Sequence, residues 1–294
     1  MMMMTMYLPT GNDAILKRHL PLDSSSMDLF TKSHDGLIMC KLINLAQFDA
    51  IDERAINIKE NLNVYQKTEN QNLVLNAAKA IGCQVINIGA QDLIEGKPIL
   101  ILGLIWQIIK IQLLSMISLR NVPELVLLLE EGEEMADFMK LPPEVILLRW
   151  LNWHLKRAKS SIIVKNFGHD LSDSSVYSIV LNRLGGPDQC PLITDESLLE
   201  RATKAIAHSK NIGADVFLKP KDICDGNKKL NVAMVAQLFN TNHGLKMDEV
   251  EKKRRSSIIM DLDKLVLVDD AGDSREERVF RMWINSCNID GSSK

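Results

Sequence analysis

Few residues in this sequence have the type and spacing that chemistry requires, and each candidate fails on spacing. A phosphate-cradling loop needs two glycines with four residues between them, then Lys and Ser or Thr. Here six residues separate Gly89 from Gly96-Lys97, and Pro98 stands where the hydroxyl should be. Asp261 and Asp263 begin a calcium-type alternation of oxygen ligands, but Leu265 interrupts it. The six histidines form no HExxH pair or other close pair. The five cysteines are odd in number and widely spaced, with no CxxC, which argues against a disulfide framework or zinc site and for a reducing compartment. No GxSxG is present. The expectation is a non-enzyme with no cofactor and no bound metal.

Charge distribution is more informative. The net charge is −3, which disfavours a nucleic-acid partner. Two segments nevertheless hold only positive charge: Gly96 to Pro123 has Lys97, Lys110 and Arg120, and Val145 to His169 has Arg149, Lys156, Arg157, Lys159 and Lys165. Such segments suit an acidic macromolecular surface and a salt-sensitive contact, or are simply solvated. Lys252 to Ser257, KKRRSS, reads as a solvated linker, a nuclear signal, or a basophilic-kinase site at Ser256 or Ser257.

Helices must position these segments. Apolar residues recur at helical spacing in Asp35 to Ala46, in a helix capped by Thr68 and Gln71, and in Pro98 to Leu114. They recur again in Pro143 to Ala158, Asp173 to Leu184, Glu196 to Asn211 and Lys229 to Asn242. Residues 1 to 34 are irregular with short helical pieces, Asp49 to Asn63 is an extended loop, and weak helical pieces occupy Pro123 to Leu129 and Glu133 to Met139. No stretch alternates convincingly enough for a strand. Ile99 to Leu114 is too short and too interrupted by Gln107, Lys110 and Gln112 to span a membrane, and the N-terminus lacks the pattern of a signal peptide.

The elements repeat. LLRWLNWHLK at Leu147 to Lys156 returns in shortened form as RVFRMWINS at Arg278 to Ser286, and the block around Asp92 and Gly96 returns around Asp222 and Gly226. A separation of about 130 residues is that of a duplicated domain, not of a solenoid. Trp106, Trp150, Trp153 and Trp283 read as packing anchors.

In order and spacing, DGLIMCKLIN (35 to 44), IDERAIN (51 to 57), the IGC-to-DLIEG block (81 to 96) and LPPEVILLRWLNWHLK (141 to 156) resemble calponin-homology domains. Specifically, they resemble the first actin-binding unit of the fimbrin (plastin) family. The resemblance implies an all-α fold of tandem calponin-homology domains and a non-catalytic, cytoplasmic, cytoskeletal protein that binds filamentous actin, with no nucleic acid or membrane partner. It implies a disordered start at 1–13, a first domain at 14–118, a linker at 119–141, a second domain at 142–245 and a charged linker at 246–273. The helix that opens the first repeat in that family has no counterpart here, and 274–294 reads as the opening helix of a third repeat. By the same resemblance Gln107, Lys110, Ile111 and Gln112 contact actin, with Lys156 and Arg157 as secondary candidates; the alternative for each is core packing or solvation. One unit decorates filaments and bundles them only if it self-associates. The other reading is a helical scaffold that no longer binds actin.

An opening helix buries several large side chains at about 1.5 to 3 kcal/mol each, against a domain stability of about 5 to 15 kcal/mol, so the first repeat is expected to be marginal. The segment around Val279, Phe280 and Trp283 is a candidate to fill that groove, in its own chain or a partner's; a frayed terminal helix is the alternative.

Overall fold

Recurring apolar spacing becomes helix throughout the computed structural model, which describes His19, Leu22, Asp23 and residues 26–246. Among these residues no strand occurs, no helix is long and apolar enough to cross a membrane, and no group of three or more His, Cys, Asp or Glu could hold a metal ion. The expectations for 1–13, for Ser256 and Ser257, and for 274–294 with Trp283 lie outside the described residues.

The first repeat runs α1 (Asp28–Lys32), α2 (Leu37–Ala46), a 3₁₀ turn (Glu53–Ala55), α3 (Val64–Ala80), α4 (Ala90–Ile94) and α5 (Pro98–Leu114). A 3₁₀ helix (Pro123–Leu128) and α6 (Met135–Phe138) follow. The second repeat runs α7 (Pro143–Arg157), a 3₁₀ turn (His169–Leu171), α8 (Ser175–Gln189), α9 (Leu198–Asn211), α10 (Pro220–Cys224) and α11 (Lys228–Thr241). In sequence order α2 corresponds to α8, α3 to α9, α4 to α10 and α5 to α11; α7 has no described counterpart before α2.

Two expected boundaries move. The capping box of α3 is Asn63 with Gln66, not Thr68 with Gln71: Gln66 N–H donates to Asn63 Oδ1 at 2.9 Å and Asn63 N–H to Gln66 Oε1 at 3.1 Å. Both pairs have the required three-residue spacing, but Gln71 is buried and donates to the Ser33 carbonyl at 2.8 Å. The earlier pair therefore takes the orphan N–H groups of the first turn. Helix α8 does not stop at Leu184; it breaks at Gly186 (φ +76°), before Pro187, and continues to Gln189. Gly96 and Gly226 end the equivalent short helices α4 and α10 at φ +72° and +64°, a left-handed conformation that glycine adopts without strain, and each leads straight into the next long helix.

The first core gathers Met39, Cys40 and Ile43 of α2, Val74 and Ala78 of α3, Leu93 of α4, and Ile101, Leu104 and Ile108 of α5. The second gathers Leu147, Trp150 and Leu151 of α7, Tyr177, Val180 and Leu181 of α8, and Val235, Leu238 and Phe239 of α11. The segment between the repeats, though polar in composition, is not loose: Leu125, Val126 and Phe138 join the second core, as do Leu114, the last residue of α5, and Ile117 just beyond it. Polar side chains at the centre of each repeat tie its loops. Asn70 donates to the carbonyls of Asp35 (2.9 Å) and Asn57 (3.0 Å), while Asn231 accepts from the Tyr177 hydroxyl (2.8 Å) and donates to the Phe167 carbonyl (2.9 Å).

Candidate functional site

Helix α5 is apolar nearly all round, a pattern expected of a helix buried on several sides. Its faces have separate uses. Ile101, Leu104 and Ile108 point into the first core. Trp106, Lys110 and Leu113, three to four residues apart, meet the second repeat: Lys229 Nζ lies 6.0 Å from the Trp106 ring centroid, Lys110 is ion-paired with Glu144, and the Leu113 carbonyl accepts from Asn240 Nδ2 at 2.9 Å. The two repeats thus meet along one seam, with α5 lying beside α11 and the start of α7.

The four α5 candidates divide accordingly. Gln107 uses both ends of its amide on one residue, accepting from Gln84 N–H at 2.7 Å and donating to the Gln84 carbonyl at 3.2 Å, and so holds the loop after α3. Lys110 spans the seam. Ile111 packs on the first core, which is the packing alternative raised for it above. Gln112 is half-buried.

Lys156 and Arg157 are exposed at the other end of α7 from Glu144, about 18 Å along the helix at 1.5 Å per residue. The fold therefore does not gather the six candidates into one cluster. It does add a cation to the second group. The Arg157 guanidinium lies 4.9 Å from the Trp153 ring centroid and that of Arg183, from α8, lies 6.0 Å from it. Burial, and then the neighbouring Arg157, hold the Arg183 guanidinium below its usual pKa. No spacing pointed to Arg183, because only the packing of α8 on α7 brings it there.

Carboxylates from outside the two basic segments neutralise part of their charge. Lys97 pairs with Asp92 (2.5 Å) and Glu95 (3.3 Å), Lys110 with Glu144, and Arg149 makes a two-pronged pair with Glu133 at 2.6 and 3.0 Å. Arg149 holds the Glu133 carboxyl below the ordinary range. The positive potential is accordingly weighted toward the C-terminal end of α7.

Beneath that end lies a buried aromatic cluster. Trp150 packs edge-on to Phe239 at 5.5 Å and to His154 at 5.1 Å, and its indole N–H donates to the His243 carbonyl at 2.7 Å. His154 Nδ1 accepts from Arg183 Nε at 3.3 Å, so Nε2 carries the proton and donates to the same carbonyl at 3.0 Å. Burial pushes the His154 pKa down to about 4. The imidazole is thus neutral and serves to hold Arg183.

Residues 16–113 and 141–244 match the calponin homology (CH) domain. The chain is 45% identical over 282 residues to Fimbrin-3 of Arabidopsis thaliana, covering 95% of this chain and 38% of that protein. It is 45% identical over 283 residues to Fimbrin of Dictyostelium discoideum (95% and 43%) and 43% identical over 287 residues to human Plastin-1 (95% and 43%). The chain spans less than half the length of these curated relatives. Among solved structures, the actin-crosslinking core of Schizosaccharomyces pombe fimbrin superposes with a TM-score of 0.69 at 39% identity, covering 84% of this chain and 50% of that one.

Proposed function

This chain belongs to the calponin homology domain family, in the tandem form of the fimbrins and plastins, and on that premise we propose that it binds the sides of actin filaments without catalysis. The observation that carries the reading is the pairing of two calponin-homology units, matched at 16–113 and 141–244, along a seam built on α5. The relatives' names supply the partner class: the matched solved structure is the actin-crosslinking core of a fimbrin. A cytoplasmic, cytoskeletal location follows from the same reading.

The contact centres on Lys156 and Arg157, which are exposed and have Arg183 beside them. An acidic filament surface would be drawn to that end of α7, more weakly as salt rises. Gln107, Lys110 and Gln112 form the second contact, together with the part of Ile111 that its packing on the first core leaves exposed. Lys110 must exchange Glu144 for a filament carboxylate, an exchange of little cost because both partners are partly exposed. Bundling requires self-association, for which Val279, Phe280 and Trp283 are apolar candidates only in chains where that segment is not held by its own first repeat.

The test is co-sedimentation of the full chain carrying Lys156→Glu and Arg157→Glu. Binding at low salt should fall at least tenfold, about 1.4 kcal/mol, with the unfolding curve of the second repeat unchanged. Unchanged binding by this folded variant would remove the α7 end from the site.

A further inference from the structure

In the second repeat α7 lies across α8 and α11 and buries them: Val180, Val235 and Phe239 are at most 1% exposed, with Trp150 edge-on to Phe239. Aligning Asp35 with Asp173 and Asp92 with Asp222 makes Leu42, Ile105 and Ile109 their counterparts on α2 and α5. All three are only half-buried, and Leu102, on the same face of α5, is 49% exposed. This face of α5 lies off the seam: Ile105, like Leu42 of α2, touches the edge of the first core, whereas Leu102 and Ile109 belong to neither core. No described helix lies on it as α7 lies on α11.

We propose that the segment Ser274 to Cys287 of the same chain occupies this face, taking on the first repeat the place that α7 takes on the second. The residues fit it. Aligned on the shared Trp and Asn, the α7 positions Ile146, Leu147, Trp150, Leu151 and His154, all buried, correspond to Val279, Phe280, Trp283, Ile284 and Cys287. Five of the six buried α7 positions are thus matched by an apolar or weakly polar side chain, the sixth, Leu155, falling on Asn288, and Ser274 with Glu277 has the spacing of a helix-starting capping box.

The connection fits as well. Asn240, near the end of α11, bonds the Leu113 carbonyl of α5, so the chain leaves the second repeat alongside the helix to be covered. A coil as long as Lys246 to Ser274 averages about 30 Å end to end, enough to reach along α5. Such a tether holds its ends at an effective concentration of the order of millimolar, which favours the chain's own segment over a second copy at ordinary protein concentrations. The inference concerns the folding of the first repeat and stands independently of filament binding.

Hydrogen exchange on the full chain, without actin, tests it. Trp283→Ala should accelerate exchange in α2 and α5 at least tenfold while α9 stays as in the parent, and Trp283→Phe should restore most of the protection. Parent protection should not change with protein concentration between about 1 and 50 µM, because the docking is intramolecular. Unchanged exchange in α2 and α5 on Trp283→Ala overturns the proposal, as does acceleration shared equally by α9. Parent protection that rises with concentration, together with dimers in sedimentation, overturns it in favour of a second copy's segment.

Discussion

Acidification should weaken the second repeat through one imidazole. His154 is 1% exposed, with a pKa near 4 in the folded protein against about 6.5 in an unfolded chain. A base whose folded pKa is depressed takes up its proton more readily when unfolded, so stability rises with pH through this window. The contribution is fully present above about pH 6.5 and is lost progressively down to about pH 4. Between pH 7.5 and pH 5 the linkage amounts to about 2 kcal/mol. Protonation would put a positive ring nitrogen against the Arg183 guanidinium, which now donates to it. Burial also depresses His208 and His243, adding loss of the same sign, while carboxylates such as Glu133, whose pKa values are lowered, lose their contribution only in a more acidic window. Urea unfolding of the parent and of His154→Gln at the two pH values isolates the ring. The variant keeps a side-chain donor for the His243 carbonyl, so its acid-induced loss should be smaller than the parent's by about 2 kcal/mol. An identical loss in both proteins refutes the assignment.

Further outcomes follow from individual contacts. Trp150→Ala should cost about 3 to 5 kcal/mol, read as a shift in the urea midpoint of the second repeat. Almost none of that cost should come from the His243 carbonyl, which keeps its bond from His154 Nε2. Lys110→Ala removes a partly exposed seam pair and should cost less than about 1 kcal/mol by the same assay. The Cys40 thiol is buried and its pKa is pushed up to about 12, so it should resist alkylation at neutral pH until the first repeat is unfolded, as read by mass mapping.

The helices were legible where one periodicity dominated. Pro98 to Leu114 shows the boundaries read from its sequence because proline opens it and a run that is apolar but for Gln107, Lys110 and Gln112 fills it. The start of α3 was not legible, because Asn63–Gln66 and Thr68–Gln71 satisfy the same local rule and only the burial of Gln71 against Ser33 decides between them. For the same reason the basic segments looked more positive than they are. Asp92 and Glu95 lie just before the first segment and Glu144 just before the second, and no linear count reveals that they fold back onto Lys97 and Lys110. Anchoring tryptophans were half legible: Trp150 is core, whereas Trp106 and Trp153 are half-buried and lie beside Lys229, Arg157 and Arg183. Composition marks a tryptophan as a large apolar surface but does not say which of its faces meets a cation.

Co-sedimentation of the full chain with actin filaments across a salt series, at high speed for binding and low speed for bundling, tests the central claim most directly. Pelleting with filaments at low salt that declines as salt rises is the predicted result, with bundles only where the chain also self-associates. A folded chain that stays in the supernatant at every salt concentration would contradict filament binding by this pair of domains.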